Sequence, residues 1–253
     1  MTRPSPSVTV VTGAASGIGA AVARRLARPD GTLLLFDRAE SVTDLAGELS
    51  GQGTPAESVV CDVGDAHALR DRLADIEERH GRCDVLVNNA GIHPRAADGS
   101  AFPITETPDD AWQAAMAVNL TAPFTLCRWA LRLMSPHGWG RIVNISSMAA
   151  RRYVPGVGAY YAATKAGLIG FTRVLAGEGG PCGVTANCIA PGKISTPFYA
   201  AANRPNPQDE LRGIPLGRLG TADEIADVAA FLVTPQASYL TGAVLDVTGG
   251  MMG

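Results

Sequence analysis

Tyr161 and Lys165 lie four residues apart. On a helix that spacing sets both side chains on one face. A free phenol has a pKa of about 10, too high for an effective base at neutral pH, but a neighbouring ammonium favours the phenolate. Lowering that pKa by about three units takes roughly 4 kcal/mol of differential stabilisation. The product would be a group able to take a proton from an alcohol or give one to a carbonyl oxygen. The bland alternative is a surface Tyr–Lys pair. Ser147, 14 residues upstream of Tyr161, offers a hydroxyl that can orient such an oxygen and stabilise its developing charge, or else merely caps a helix. Two neighbours are set aside by register. Tyr160 is five residues from Lys165 and faces elsewhere, and strand alternation points Ser146 away from Ser147.

A second chemical feature lies near the start. Thr12-Gly13-Ala14-Ala15-Ser16-Gly17-Ile18-Gly19 follows an apolar run and opens a helical pattern. Glycines there allow a tight turn and close approach of backbone to a pyrophosphate. The free N–H groups of the helix start then favour an anion. The spacing is G-x-x-x-G-x-G, and Gly13, Ser16, Gly17, Ile18 and Gly19 are the expected contacts. Asp37 ends the next apolar run, 18 residues after Gly19. A carboxylate there can accept from adenosine ribose hydroxyls and repels a 2′-phosphate, which favours NAD. Arg38 follows at once and is able to partner that phosphate, so NADP stays open as the lesser choice.

The elements that must position these residues alternate in type. Apolar runs at 8–11, 32–36, 58–61, 84–87, 141–145, 185–190 and 243–247 read as seven strands. Ile18, Val22 and Leu26, then Leu69, Leu73 and Ile76, then Ile225, Val228, Ala229 and Leu232 mark helix faces between them. Strands apolar on both faces, separated by helices, imply a parallel sheet covered on both sides. The fold class is therefore α/β, a doubly wound Rossmann fold with a seven-stranded parallel sheet flanked by helices. Residues 1–253 read as one dinucleotide-binding catalytic domain. Two segments resist periodicity, near 93–105 and 195–215, and are the expected substrate loops.

Composition sets limits. The chain has 253 residues, 46% apolar and 18% charged, with 29 glycines and a net charge of −3. That balance fits a compact soluble enzyme. No basic run suggests nucleic acid, and no apolar stretch approaches the ~20 residues of a membrane span. The first residues lack the apolar core of a signal peptide. The five cysteines form no C-x-x-C pair and the four histidines are scattered. Free thiols in a cytoplasmic enzyme, with no metal, are the expectation.

Taken in order, Thr12-Gly13-x-x-x-Gly17-x-Gly19, Asp62-Val63, Asn88-Asn89-Ala90-Gly91, Asn119, Ser147, Tyr161-x-x-x-Lys165 and Pro191-Gly192-x-Ile194-x-Thr196 resemble the classical short-chain dehydrogenases/reductases over nearly the whole chain. The resemblance implies an NAD-dependent oxidoreductase that interconverts a secondary alcohol and a ketone. Tyr161 would be the general acid/base. Lys165 would also bind the nicotinamide ribose, and Asn119 would hold a water relaying protons to it. Asp62 and Val63 would contact adenine. Asn89, Ala90 and Gly91 would support the fourth strand and pass along the adenosine. Pro191, Gly192 and Ile194 would hold the nicotinamide, and Thr196 would reach its carboxamide or the pyrophosphate. A homotetramer or homodimer is implied, using the small residues Ala163, Ala166, Gly167 and Gly170 of the Tyr161 helix; packing of that face on its own sheet is the alternative.

The sequence departs from the family in a few places. The gap from Ser147 to Tyr161 is one residue longer than is commonest, which puts the segment 148–158 in doubt. The usual Asp-Gly-Gly near the end reads Thr248-Gly249-Gly250. The substrate is less defined. His93, Arg95, Arg151, Arg152 and Arg204 fall near the expected mouth; an anionic substrate is one reading, solvated loop arginines the other. An NADPH-dependent 3-oxoacyl or biosynthetic ketoreductase is the second functional reading. Docking of an acidic carrier would want basic residues flanking the cleft, and Gly138, Trp139 and Cys182 supply none. A non-catalytic dinucleotide-binding protein is the third.

Overall fold

Runs of β-branched and leucine side chains pair into one parallel sheet, because each can be buried on both faces. The computed structural model describes residues 4–202 and 211–252. The strands are β1 (Ser7–Thr12), β2 (Gly31–Asp37), β3 (Ala56–Val60), β4 (Val85–Asn88), β5 (Gly140–Ile145), β6 (Val184–Pro191) and β7 (Val244–Val247). Their order is β3-β2-β1-β4-β5-β6-β7, and every pairing is parallel. The seven expected strands all form. The sequence reading errs only at their ends: Asp84 and Ala243 fall just outside β4 and β7, Cys61 just outside β3, while Ser7, Thr12, Gly31 and Gly140 are drawn in.

Side-chain alternation sends each strand's residues into two separate cores. Val11, Leu33, Leu35, Val85, Val87, Val143 and Ile145 meet helices α1 (Gly17–Leu26) and α2 (Val42–Gly51) on one face. Val10, Leu34, Phe36, Leu86 and Ile142 meet α3 (Ala66–His80) and α5 (Ala122–Met134) on the other. Between those two helices come α4 (Asp109–Met116) and a π-helical stretch at Ala117–Thr121. The 21-residue α6 (Ala159–Gly179) follows β5, a short α7 (Pro197–Ala200) follows β6, and α8 (Ala222–Leu232) precedes β7. The helix starts carry local reasons. Asp65 accepts from the His67 and Ala68 N–H groups to cap α3, and Thr221 with Glu224 forms a capping box on α8.

The order of strands fixes the place of the site. The chain winds from β1 outward to β3, then returns to β4 on the other side of β1. The carboxyl ends of β1 and β4 therefore flank the crevice where a doubly wound sheet binds ligands.

Candidate active site

The glycine turn disfavours side chains at three positions. Gly13 has φ +65° and Gly17 φ +54°, the left-handed region that favours glycine. At Gly19 a Cβ would lie 1.9 Å from the Gly13 carbonyl oxygen and 2.5 Å from Asn89 Nδ2. Asn89 itself ties the turn to the end of β4: Nδ2 donates to the Thr12 and Gly13 carbonyls at 3.0 and 3.1 Å. Thr12 Oγ1 returns the favour, accepting from the Asn89 and Ala90 N–H groups at 3.0 Å each. Thr12 was not among the expected site residues, although its hydroxyl at the end of β1 is what joins the two strand ends.

One cleft of about 970 Å³ contains the expected residues of both kinds. Gly13, Ser16, Gly17, Ile18, Asp37, Arg38, Asp62 and Val63 line it where β1, β2 and β3 end, and Ser147, Tyr161, Lys165, Pro191, Gly192, Ile194 and Thr196 where β5 and β6 end. Gly19 and Asn119 are absent from that lining. Asp37 is held rigidly. Its Oδ2 accepts from Ala15 N–H and its Oδ1 from Ala39 N–H, each at 2.9 Å, which leaves each oxygen a further acceptor position. Asp62 Oδ1 accepts from Gly64 N–H at 2.8 Å, and the cap of α3 is Asp65.

At the other end, Ser147 is extended at the close of β5 and caps a short 3₁₀ turn, its Oγ accepting from Ala149 N–H at 3.1 Å. Ser146 donates to the Lys165 carbonyl at 2.9 Å, so the two serine hydroxyls have different partners, as strand alternation expects. Lys165 is buried and its Nζ donates to the Ile145 carbonyl at 2.8 Å, 5.8 Å from the centre of the Tyr161 ring. Asn119 sits in the π-helical stretch, a feature that favours functional positions. Its Oδ1 accepts from Ile92 N–H at 2.8 Å, and its Nδ2 donates to the Ile92 carbonyl at 2.9 Å and to Thr164 Oγ1 at 3.2 Å. Both amide protons are thus spent, and one acceptor position on Oδ1 remains.

Without a cofactor's charge beside it, burial sets the direction of the tyrosine shift. Burial pushes the Tyr161 phenol up to about 12, against smaller lowering effects from the Ser147 hydrogen bond and the Arg95 charge. Burial also brings the Lys165 ammonium down to about 8. Helical spacing places the two groups together but says nothing of the surroundings, and desolvation opposes both charged forms.

His93, Tyr160 and the loop arginines also find definite places. His93 stacks near Tyr161, 4.9 Å between ring centres, and its Nε2 accepts from Gly158 N–H at 3.1 Å. Tyr160 is buried and donates to the Pro94 carbonyl. Together they fasten the loop after β4 to the start of α6. Arg95 lines the cleft, 2.9 Å from His93 Nδ1 and 3.1 Å from the Gly99 carbonyl. Arg151 instead pairs with Asp246, and Arg152, at the cleft wall, donates to the Met251 carbonyl. Arg204 lies outside the described residues. Thr196 lines the cleft, but its hydroxyl caps α7, accepting from Tyr199 N–H at 3.2 Å. Among the described residues no cluster of His, Cys, Asp and Glu could hold a metal, and no helix is long and apolar enough to cross a membrane.

A glycine cradle at the switch point, a carboxylate at the end of β2 and a Ser–Tyr–Lys group at the end of β5 define a nicotinamide-dinucleotide-binding oxidoreductase. A family model described as enoyl-(acyl carrier protein) reductase matches residues 13–252. The short-chain reductase protein NovJ of Streptomyces niveus is 38% identical over 96% of this chain and 93% of its own. The 3-oxoacyl-[acyl-carrier-protein] reductase FabG of Pseudomonas aeruginosa is 38% identical over 96% of each chain. Among solved structures, a 3-oxoacyl-[acyl-carrier protein] reductase from Brucella melitensis with bound NAD has a TM-score of 0.89 and 37% identity, covering 99% of this chain and 93% of that one. A candidate NAD(P)-dependent gluconate 5-dehydrogenase from Beutenbergia cavernae with bound NADP at low occupancy has a TM-score of 0.90 and 38% identity, covering 98% and 97%. The chain belongs to the classical short-chain dehydrogenase/reductase family. It is an NAD(P)-dependent oxidoreductase that interconverts an alcohol and a ketone by hydride transfer.

Proposed function

We propose that the enzyme works with NAD on a secondary alcohol or its ketone, with Tyr161 as general acid/base. The observation that carries the cofactor choice is Asp37, whose carboxylate is fixed by two backbone N–H groups with an acceptor position left on each oxygen. Such a carboxylate suits two ribose hydroxyls and repels a 2′-phosphate. Gly13, Ser16, Gly17, Ile18 and Gly19 would hold the pyrophosphate, and Asp62 with Val63 the adenine. Asn89, Ala90 and Gly91 would flank the adenosine, with Pro191, Gly192, Ile194 and Thr196 around the nicotinamide.

When bound, the oxidised nicotinamide accepts the hydride and adds a positive charge beside the phenol. The protein's own groups handle the proton. Ser147 holds the substrate oxygen and shares its hydrogen bond with Tyr161, which takes the alcohol proton or returns one to the ketone. Lys165 binds the nicotinamide ribose and favours the phenolate. Asn119 acts through its remaining acceptor position, from which a water can be held near Lys165. Residues 1–253 act as one catalytic domain, with the segments 93–105 and 195–215 admitting substrate. A homotetramer or homodimer through α6 and a reducing cytoplasm complete the reading, the latter in keeping with five free cysteines, four of them buried.

A second reading is an NADPH-dependent 3-oxoacyl or biosynthetic ketoreductase. It is favoured by the names of the relatives and by Arg38, which lines the cleft beside Asp37. The two separate on comparative kcat/KM for NAD and NADP, measured with wild type and Asp37→Asn. The first expects NAD to be preferred by at least about tenfold, and the preference to shrink when the charge is removed. Preference for NADP with Asp37 intact would establish the second.

A further inference from the structure

The C-terminal segment reaches the substrate end of the cleft, and two adjacent arginines hold it there. Arg151 pairs with Asp246 in β7, and Arg152 donates to the Met251 carbonyl. Both arginines belong to the segment that follows the Ser147 turn. The path of the tail is set by Gly249 at φ +63° and Gly250 at φ +94°. It runs tightly against the chain before α8: a Cβ on Gly249 would lie 2.8 Å from Ile214 Cγ2, and one on Gly250 2.8 Å from Pro215 Cγ. Leu216 N–H donates to the Gly249 carbonyl at 3.1 Å. Met251 then enters the cleft wall, with its Cε 3.9 Å from where a Gly213 Cβ would stand. Its side chain therefore lies where the segment after β5 and the segment after β6 come together.

The cleft wall it joins includes the apolar Met148, Val154, Pro155, Val157 and Phe198 beside the polar His93, Arg95 and Arg152, with the Phe198 ring 6.2 Å from that of Tyr161. Arg151 and Arg152, of the segment after β5, each give a hydrogen bond to the tail. A thioether side chain on three rotatable bonds is suited to closing such a pocket at an adjustable depth.

We infer that Met251 is a specificity-determining residue that closes the far end of an apolar substrate pocket, so that the substrate is a ketone or secondary alcohol bearing an apolar chain whose length Met251 limits. This rests on the oxidoreductase reading for the reaction, but not for the pocket. Each methylene buried in such a pocket changes affinity by about fourfold.

The test is binding and turnover of a homologous series of straight-chain 2-alkanones, with calorimetry on the NADH complex and assay of NADH oxidation. Wild type should gain about fourfold in affinity per methylene and then stop at a definite length. Met251→Ala should move that stop one or two methylenes longer, and Met251→Trp should move it shorter. Both variants should leave affinity for NADH within about twofold. Opposite shifts cannot arise from a general loss of structure. An unchanged stop in both variants overturns the inference, as does failure of wild type to bind any member of the series. Binding with the expected shifts but no turnover would leave Met251 in its role and overturn the proposed reaction instead.

Discussion

Lys165 Nζ stands 5.8 Å from the centre of the Tyr161 ring and gives its hydrogen bond to the Ile145 carbonyl. In the protein alone burial, not that ammonium, dominates the phenol. Tyr161 accordingly stays protonated up to about 12. The positive ring of an oxidised nicotinamide cofactor would add the missing charge. Spectroscopic titration of tyrosinate should therefore show one residue whose pKa falls by more than one unit when NAD binds, and the effect should vanish in Tyr161→Phe. Alcohol oxidation needs the phenolate and should rise with pH through the lowered value. Ketone reduction needs the phenol and should fall at high pH. Tyr161→Phe should cost about 10²–10⁴ in kcat. A pKa that ignores NAD would remove the phenol from the mechanism.

Lys165 is destabilising where it stands. Its ammonium is buried and brought from an ordinary 10.5 down to about 8. Below pH 8 the folded and unfolded chains both carry the proton, and the full penalty applies. From pH 8 to about 10.5 the unfolded chain binds more protons, so stability rises with pH across that window. Lys165→Met should then abolish turnover yet stabilise the cofactor-free protein by roughly 1–3 kcal/mol at pH 7, and less at pH 10. Denaturant melts at the two pH values check this. A destabilised variant at pH 7 would mean that the bond to Ile145 outweighs the cost of burial.

Gly91 guards the space between two groups of the site. A Cβ there would lie 3.3 Å from Lys165 Nζ and 3.4 Å from Asn119 Oδ1, the region from which a water could touch both. Gly91→Ala should fold and bind NAD but lower kcat by at least about tenfold, with the loss greatest where proton transfer limits the rate. A solvent isotope effect that grows in the variant is the expected signature. Normal kcat would show that nothing essential occupies that space.

The strand cores were legible because a parallel sheet buries both faces and writes continuous apolar runs. Their ends were not, since Ser7, Thr12 and Gly31 join through backbone pairing that composition does not signal. The site was legible wherever spacing alone fixes geometry, as in the glycine turn, Tyr161 with Lys165, and Ser147 against Ser146. What escaped depends on distant partners. Arg151 and Arg152 read as loop residues at the mouth, but their partners lie 95 and 99 residues away. Tyr160 and His93 meet only because the loop after β4 folds onto the start of α6. The shift of Tyr161 follows from burial, which no residue spacing encodes.

The outer face of α6 tests the assembly. Ala163, Ala166 and Gly170 are exposed and face away from the sheet, while Gly167 alone is partly covered, with Leu120 Cδ2 3.2 Å from where its Cβ would stand. Packing on the chain's own sheet therefore does not account for these small residues. Nothing lies within 4 Å of a Cβ at Gly170, so in a lone chain a larger residue there meets no steric conflict, and Gly170→Ala gains about 0.5–1 kcal/mol of helix stability. In an assembly that closes through α6 the same position faces its symmetry mate, and each substitution acts twice across the axis. Gly170→Arg should then split the oligomer, halving the mass seen by sedimentation, while the separated chain keeps its melting cooperativity. Wild type that sediments as a single chain, or Gly170→Arg that sediments as wild type does, would place the interface on another face.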